Sequence, residues 1–133
     1  MPYVYIDHTA DIGVRISASN IRELFRDAGY ALVDVMKAAS DDDREQVEIT
    51  SEGIDRIDLL VRWLQEILYV IEVKDFRVSR IVITSLGETD LTASLTGMFS
   101  KTQLAREIKA VTYHNLDIRD VDNHLEATII LDT

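Results

Sequence analysis

The chain contains no cysteine. That removes disulfides and thiolate ligands, and with them the cysteine sets of most structural zinc sites. Its single proline is Pro2, and no stretch is of low complexity. No run of about 18 apolar residues is present, so no membrane-spanning helix is expected. The opening MPYVYIDHT has neither the basic region nor the apolar stretch of a secretion signal. Together these absences lead us to expect a cytoplasmic protein. Glycine-rich phosphate loops of the P-loop or dinucleotide type are missing, as is a GxSxG elbow. The three histidines, His8, His114 and His124, do not fall at HExxH spacing, and no nucleophile stands beside an evident base. Positive charge is scarce: 14 Lys and Arg face 24 Asp and Glu, a formal net charge of -10. Such a surface repels phosphate backbones, and no basic cluster offsets it, so tight direct binding of RNA or DNA is not expected. An acidic domain suits a basic protein partner, a cation, or simple solubility.

What is present is enough for one domain spanning 1–133, with 47% hydrophobic residues to build a core. Residues 3–7 and 12–17 read as strands, rich in Val, Ile and Tyr. A helix follows over SNIRELFRDAGYALVDVMKAAS. Ile21, Leu24, Phe25, Ala28, Leu32, Val35 and Met36 fall on one face, Asn20 suits the N-cap, and Glu23 sits where a capping-box partner reaches back. Gly29 inside it costs about 1 kcal/mol against Ala, which suggests close packing there. DDDRE at 41–45 reads as a solvated acidic turn, and QVEIT as a short strand. A second helix runs from Ile54 to Val73, with Ile57, Leu60, Val61, Leu64, Leu68 and Ile71 inward. Trp63 and Tyr69 flank that face and read as packing residues. FRVSRIVITSL and TDLTASLTG form a hairpin about Gly87 and Glu88. MFSKTQLAREIK reads as a loop or short helical piece. KAVTYHNLDIRDV and HLEATIILD make another strand pair, joined about Asp122 and Asn123. The expected class is α+β: one largely antiparallel sheet with two amphipathic helices packed on it, in two loosely similar strand–helix–strand halves.

Three places concentrate chemistry. DHTADIGV, residues 7–14, puts Asp7, His8, Thr9 and Asp11 into one turn. His8 reads as a ligand, a base or a buried hydrogen-bonded histidine. The carboxylates and Thr9 read equally as partners for turn amides. The sequence stops at IILDT, which sets Asp132 and the carboxylate of Thr133 at a strand end. If that strand lies beside the first ones, Asp11 and the chain end converge. Carboxylates held that close recruit a cation or raise one another's pKa. An all-oxygen set suits Ca²⁺ or Mg²⁺ rather than zinc. The third place is KAVTYHNL, residues 109–116. Strand alternation there puts Lys109, Val111, Tyr113 and Asn115 on one face, and Ala110, Thr112, His114 and Leu116 on the other. Lys109 could neutralise a carboxylate cluster, contact a phosphate, or lie on a plain surface strand.

DHTADIGVR near the start, KAVTYHNL in the last third and LDT at the end occur together and in that order. The combination resembles the archease family over essentially the whole chain, including the LVDVM ending of the first helix. The resemblance implies an accessory protein that activates the RtcB-type RNA ligase, which joins RNA ends bearing a 2′,3′-cyclic or 3′-phosphate in tRNA splicing and repair. It implies promotion of guanylylation of the ligase histidine by GTP, multiple turnover, and no catalysis by the accessory protein itself. It implies a site for a divalent cation (Ca²⁺, Mg²⁺ or Mn²⁺) at Asp11 and Asp132 with oxygen from Thr133, and Lys109 beside it. His8 and His114 match motif positions without an assigned role. A second family association, as a specificity-enhancing chaperone of a tRNA cytosine methyltransferase, is carried by the same resemblance. An independent metal-dependent hydrolase built on the carboxylates is the remaining reading.

Overall fold

The computed structural model describes residues 2–8, 11–113 and 116–133, without the side chains of residues 6–8. Strand β1 (Tyr3–His8) and strand β2 (Asp11–Ala18) form an antiparallel hairpin in register from Tyr3↔Ile16 to His8↔Asp11. Period-two alternation buries Val14 and Ile16 of β2 and leaves Arg15 between them exposed.

Helix α1 (Ile21–Met36) starts as the sequence predicts. Asn20 accepts the Glu23 N–H at 2.9 Å, and the Glu23 carboxylate accepts the Ser19 N–H at 3.3 Å. It ends where Lys37 turns left-handed, with φ 56°, and the Ala38 N–H closes on the Val33 carbonyl at 2.9 Å. Gly29 is closely packed: a Cβ there would meet the Cδ1 atoms of Ile81 and Ile67 at 2.9 and 3.0 Å. After strand β3 (Glu45–Glu52), helix α2 (Arg56–Glu72) is capped by Asp55, whose carboxylate accepts the Asp58 N–H at 2.8 Å. Trp63 of α2 is fully buried and donates its ring N–H to the Phe25 carbonyl at 2.9 Å, which bears out its packing role. Tyr69 is 49% exposed.

Strands β4 (Phe76–Leu86), β5 (Asp90–Phe99), β6 (Ala110–Thr112), β7 (Ile118–Val121) and β8 (His124–Asp132) complete the α+β fold. All the strand pairs are antiparallel. They make two sheets, however, where a single one was expected. One runs β1-β2-β8-β6 with β7 also on β8; the other runs β3-β5-β4. Alternation tells which face of a strand is buried, and it is silent about which strand lies alongside. The expected strand over KAVTYHNLDIRDV is likewise two short ones. β6 covers Leu131 and its neighbours on β8, and β7 covers the start of β8. The β7–β8 turn is at Asp122 and Asn123, both at positive φ (50° and 69°), a conformation that Asp and Asn tolerate. Residues 100–109 form neither helix nor strand. They are tied to the helix ends: the Ala105 N–H reaches the Met36 carbonyl at 2.9 Å, and the Ile108 N–H reaches Glu72 at 3.2 Å. The core lies between the helices and both sheets, and among the described residues no helix is long and apolar enough to cross a membrane.

Candidate functional site

The register of β2 on β8 decides which acids meet. Ile12, Val14 and Ile16 oppose Leu131, Ile129 and Ala127, and Val14, Ile16, Ala127, Ile129 and Leu131 are core residues. The alternate set is therefore directed away from the helices, and its first pair is Asp11↔Asp132. Directly opposed residues of an antiparallel pair share a face with Cβ atoms about 5 Å apart, where like charges destabilise the sheet. Asp11 is partly buried; Asp132 and Thr133 are exposed. Lys109 enters through the backbone, its N–H donating to the Asp132 carbonyl at 2.7 Å, and its side chain is exposed. Ala110 then pairs with Asp132, and buried Val111 anchors β6 behind them.

Asp11, Lys109 and the last strand are thus neighbours. His8 is the Cα partner of Asp11 at the hairpin end. Its side chain, Thr9 and His114 lie outside the described residues. The expected face carrying Lys109, Val111 and Tyr113 does not extend that far, because β6 stops at Thr112. Among the described residues no group of three or more His, Asp or Glu side chains is arranged to hold a metal ion. Two opposed carboxylates with Thr133 beside them offer oxygen donors only. That fits a hard cation which keeps part of its water or phosphate shell, as Mg²⁺ does, and does not fit zinc.

Two supports of this region carried no local signal. Tyr113 donates its hydroxyl to Asp58 at 2.5 Å, and Asp58 also accepts the Ile54 N–H at 2.9 Å and Arg62 Nε at 2.9 Å. The Tyr113 hydroxyl, then the Ile54 amide and Arg62, hold the Asp58 carboxyl below its ordinary range, while the Asp58 partner raises Tyr113. The contact ties the residue after β6 to the start of α2. Arg77 is 4% exposed. It donates to Thr102 Oγ1 at 2.9 Å, the Thr102 carbonyl at 2.5 Å, the Phe76 carbonyl at 3.0 Å and the Ile71 carbonyl at 3.1 Å. It clamps the segment that leads to Lys109 onto β4 and α2.

Known proteins resemble the chain over nearly its whole length. The model of the archease protein family matches residues 3–133. The archease of Archaeoglobus fulgidus is 33% identical over 136 residues, covering 99% of each chain. That of Methanothermobacter thermautotrophicus is 32% identical over 139 residues, covering 98% of this chain and 97% of its own. The solution structure of a Methanobacterium thermoautotrophicum protein superposes with a TM-score of 0.75 at 31% identity, covering 99% of both chains. The crystal structure of an archease from Thermotoga maritima, described as a possible chaperone, gives 0.70 at 26% identity, covering 96% of this chain and 94% of its own. The chain belongs to the archease family.

Proposed function

We propose that this protein is a cytoplasmic accessory factor, without catalysis of its own, that activates an RtcB-type RNA ligase in tRNA splicing and RNA repair. It promotes guanylylation of the ligase histidine by GTP and allows multiple turnover. The observation that carries this reading is the Asp11↔Asp132 pairing with Lys109 bonded to the same strand end, in a chain of the archease family. Asp11, Asp132 and oxygen from Thr133 hold a divalent cation, which when bound neutralises the acids and offers positions to phosphate oxygens. Lys109 adds a cation able to meet a nucleotide phosphate or to offset the pair. The acidic surface favours docking on the basic RNA-binding face of a ligase, with a fast, salt-sensitive on-rate.

Multiple-turnover ligation by the cognate ligase with GTP tests this. The protein is expected to raise turnover, and Asp11→Ala or Asp132→Ala to abolish the stimulation. Full stimulation by both variants would defeat the reading. A second reading, carried by the family resemblance, makes the client a tRNA cytosine methyltransferase; the Thermotoga relative is described only as a possible chaperone. Pull-downs with each client, followed by ligation and methylation assays, separate the two.

A further inference from the structure

Four margins of the two sheets can be compared for how they are closed. The free side of β4 is occupied. Val78 donates to the Ala38 carbonyl at 2.8 Å and accepts from the Ser40 N–H at 2.9 Å. Tyr30 accepts the Ile81 N–H at 2.9 Å, and Arg22 donates to the Ile83 carbonyl. β3 carries exposed Glu45, Glu48 and Glu52, charges that discourage edge pairing. β6 and β7 are only three and four residues long, and Gln65 reaches the Val111 carbonyl at 3.5 Å.

Among the described residues, positions 3–5 of β1 show none of these devices. The Ser17 N–H donates to the Pro2 carbonyl at 2.8 Å, and the register Tyr3↔Ile16 makes Pro2 and Ser17 direct partners. That fixes the phase of the ladder. Positions 4, 6 and 8 bond to β2, and Tyr3, Tyr5 and Asp7 turn their N–H and C=O groups to the open side. Among the described residues no hydrogen bond reaches those groups of Tyr3 and Tyr5. Residues 3–6 carry no charge, and Val4 and Tyr5 are 60% and 51% exposed.

We propose that the outer edge of β1 receives an extended segment of the ligase, rich in Lys or Arg, as an additional strand; this rests on the function proposed above. Backbone pairing supplies the attachment, as in other cases of strand addition. Charge selects the occupant. Asp34 is an exposed carboxylate accepting the Tyr5 hydroxyl at 2.5 Å, Asp7 lies within the strand, Arg106 is the nearby cation that partly offsets them, and the chain as a whole stands at -10. A second copy would set two such charges against each other, whereas a basic segment is attracted. Position links the edge to the candidate site. An added strand lies about 10 Å from β2, two strand spacings away. Its end nearest His8 therefore lies about 10 Å from Asp11.

The test uses Tyr5→Pro and Tyr5→Phe with the intact ligase. Proline at position 5 removes an outward N–H and places its ring on the open side, leaving the bonds of positions 4 and 6 to β2 in place. Phenylalanine removes only the hydroxyl contact with Asp34. Tyr5→Pro is expected to weaken ligase binding by calorimetry about tenfold or more, with Tyr5→Phe within about threefold of the unaltered chain. Hydrogen exchange on the unaltered chain provides a readout that needs no variant: the amides of Tyr3, Tyr5 and Asp7 should slow when ligase binds. Unchanged exchange in the bound state, or Tyr5→Pro binding as tightly as Tyr5→Phe, overturns the edge proposal and leaves the activator reading standing. Self-association that Tyr5→Pro abolishes would make a second copy the occupant and also overturn it. An unaltered chain that neither binds nor stimulates the ligase brings down both.

Discussion

Arg77 is a cation whose partners are all uncharged oxygens, on three separate parts of the chain. Its fork geometry matters more than its charge, because one planar group satisfies carbonyls of α2, β4 and the 100–109 segment together. Arg77→Met keeps the apolar bulk and leaves the Ile71, Phe76 and Thr102 carbonyls short of a donor, which is expected to cost about 2–4 kcal/mol in urea unfolding. Arg77→Lys should recover little of this, since an ammonium cannot span the same acceptors. Asp58 gives a prediction in pH. Its carboxyl is held below the ordinary range by Tyr113 first, then by the Ile54 amide and Arg62. A depressed folded-state pKa means a stabilisation fully present above the unfolded value of about 3.9, and lost as pH falls through the folded value. Tyr113 is raised, so its share is present below about pH 10 and is lost as pH rises further. Asp58→Asn should flatten the acid limb of a thermal-melt profile below about pH 4, and Tyr113→Phe should depress the plateau between the limbs. A variant that melts in parallel with the unaltered chain at every pH would contradict the contact. The meeting of Asp11 and Lys109 with Asp132 was legible from the sequence because each stands in a motif that reads as a unit. Arg77 and Asp58 were not, since Thr102 and Tyr113 are 25 and 55 residues distant from them.

The helices were readable as elements because their evidence is local. A 3.6-residue apolar stripe and a side-chain cap both lie within a few residues, and Asn20 and Gly29 behave as their positions suggested. Strands supply only half of that information. β4 and β5 were visible as a hairpin, while their separation from β1, β2 and β8 into a second sheet was not. The break between β6 and β7 was hidden for the same reason: 109–121 reads as one strand, whereas β6 and β7 pair with β8 in different registers. Gly97 belongs to this scale. It pairs with Val78, and a Cβ there would fall 1.8 Å from the Arg77 carbonyl oxygen, a clash with backbone that no rotamer relieves. Gly97→Ala should therefore force β5 away from β4 and cost about 2–4 kcal/mol, more than the loss of a strand glycine would recover. A Gly97→Ala chain as stable as the parent in denaturant would mean that the two strands approach less closely than this register requires.

For the whole molecule, the register sets two carboxylates opposite each other in a chain that already carries ten negative charges in excess. Asp11 and Asp132 come from opposite ends of the sequence, and the antiparallel register brings them together without any loop having to adapt. A cation placed between two such carboxylates is attracted by both. Removing one charge should therefore matter little without the cation and much with it. In chelator, Asp132→Asn is expected to melt close to the unaltered chain, because Asp132 is exposed. On titration with Ca²⁺, Mg²⁺ or Mn²⁺ the unaltered chain should gain stability, by about 2.7 kcal/mol once the ion reaches a hundred times its dissociation constant. Asp132→Asn should gain far less at the same concentrations. A ligand that binds only the folded state must raise its stability, so an unaltered chain whose melting temperature ignores all three ions would defeat the proposed cation site.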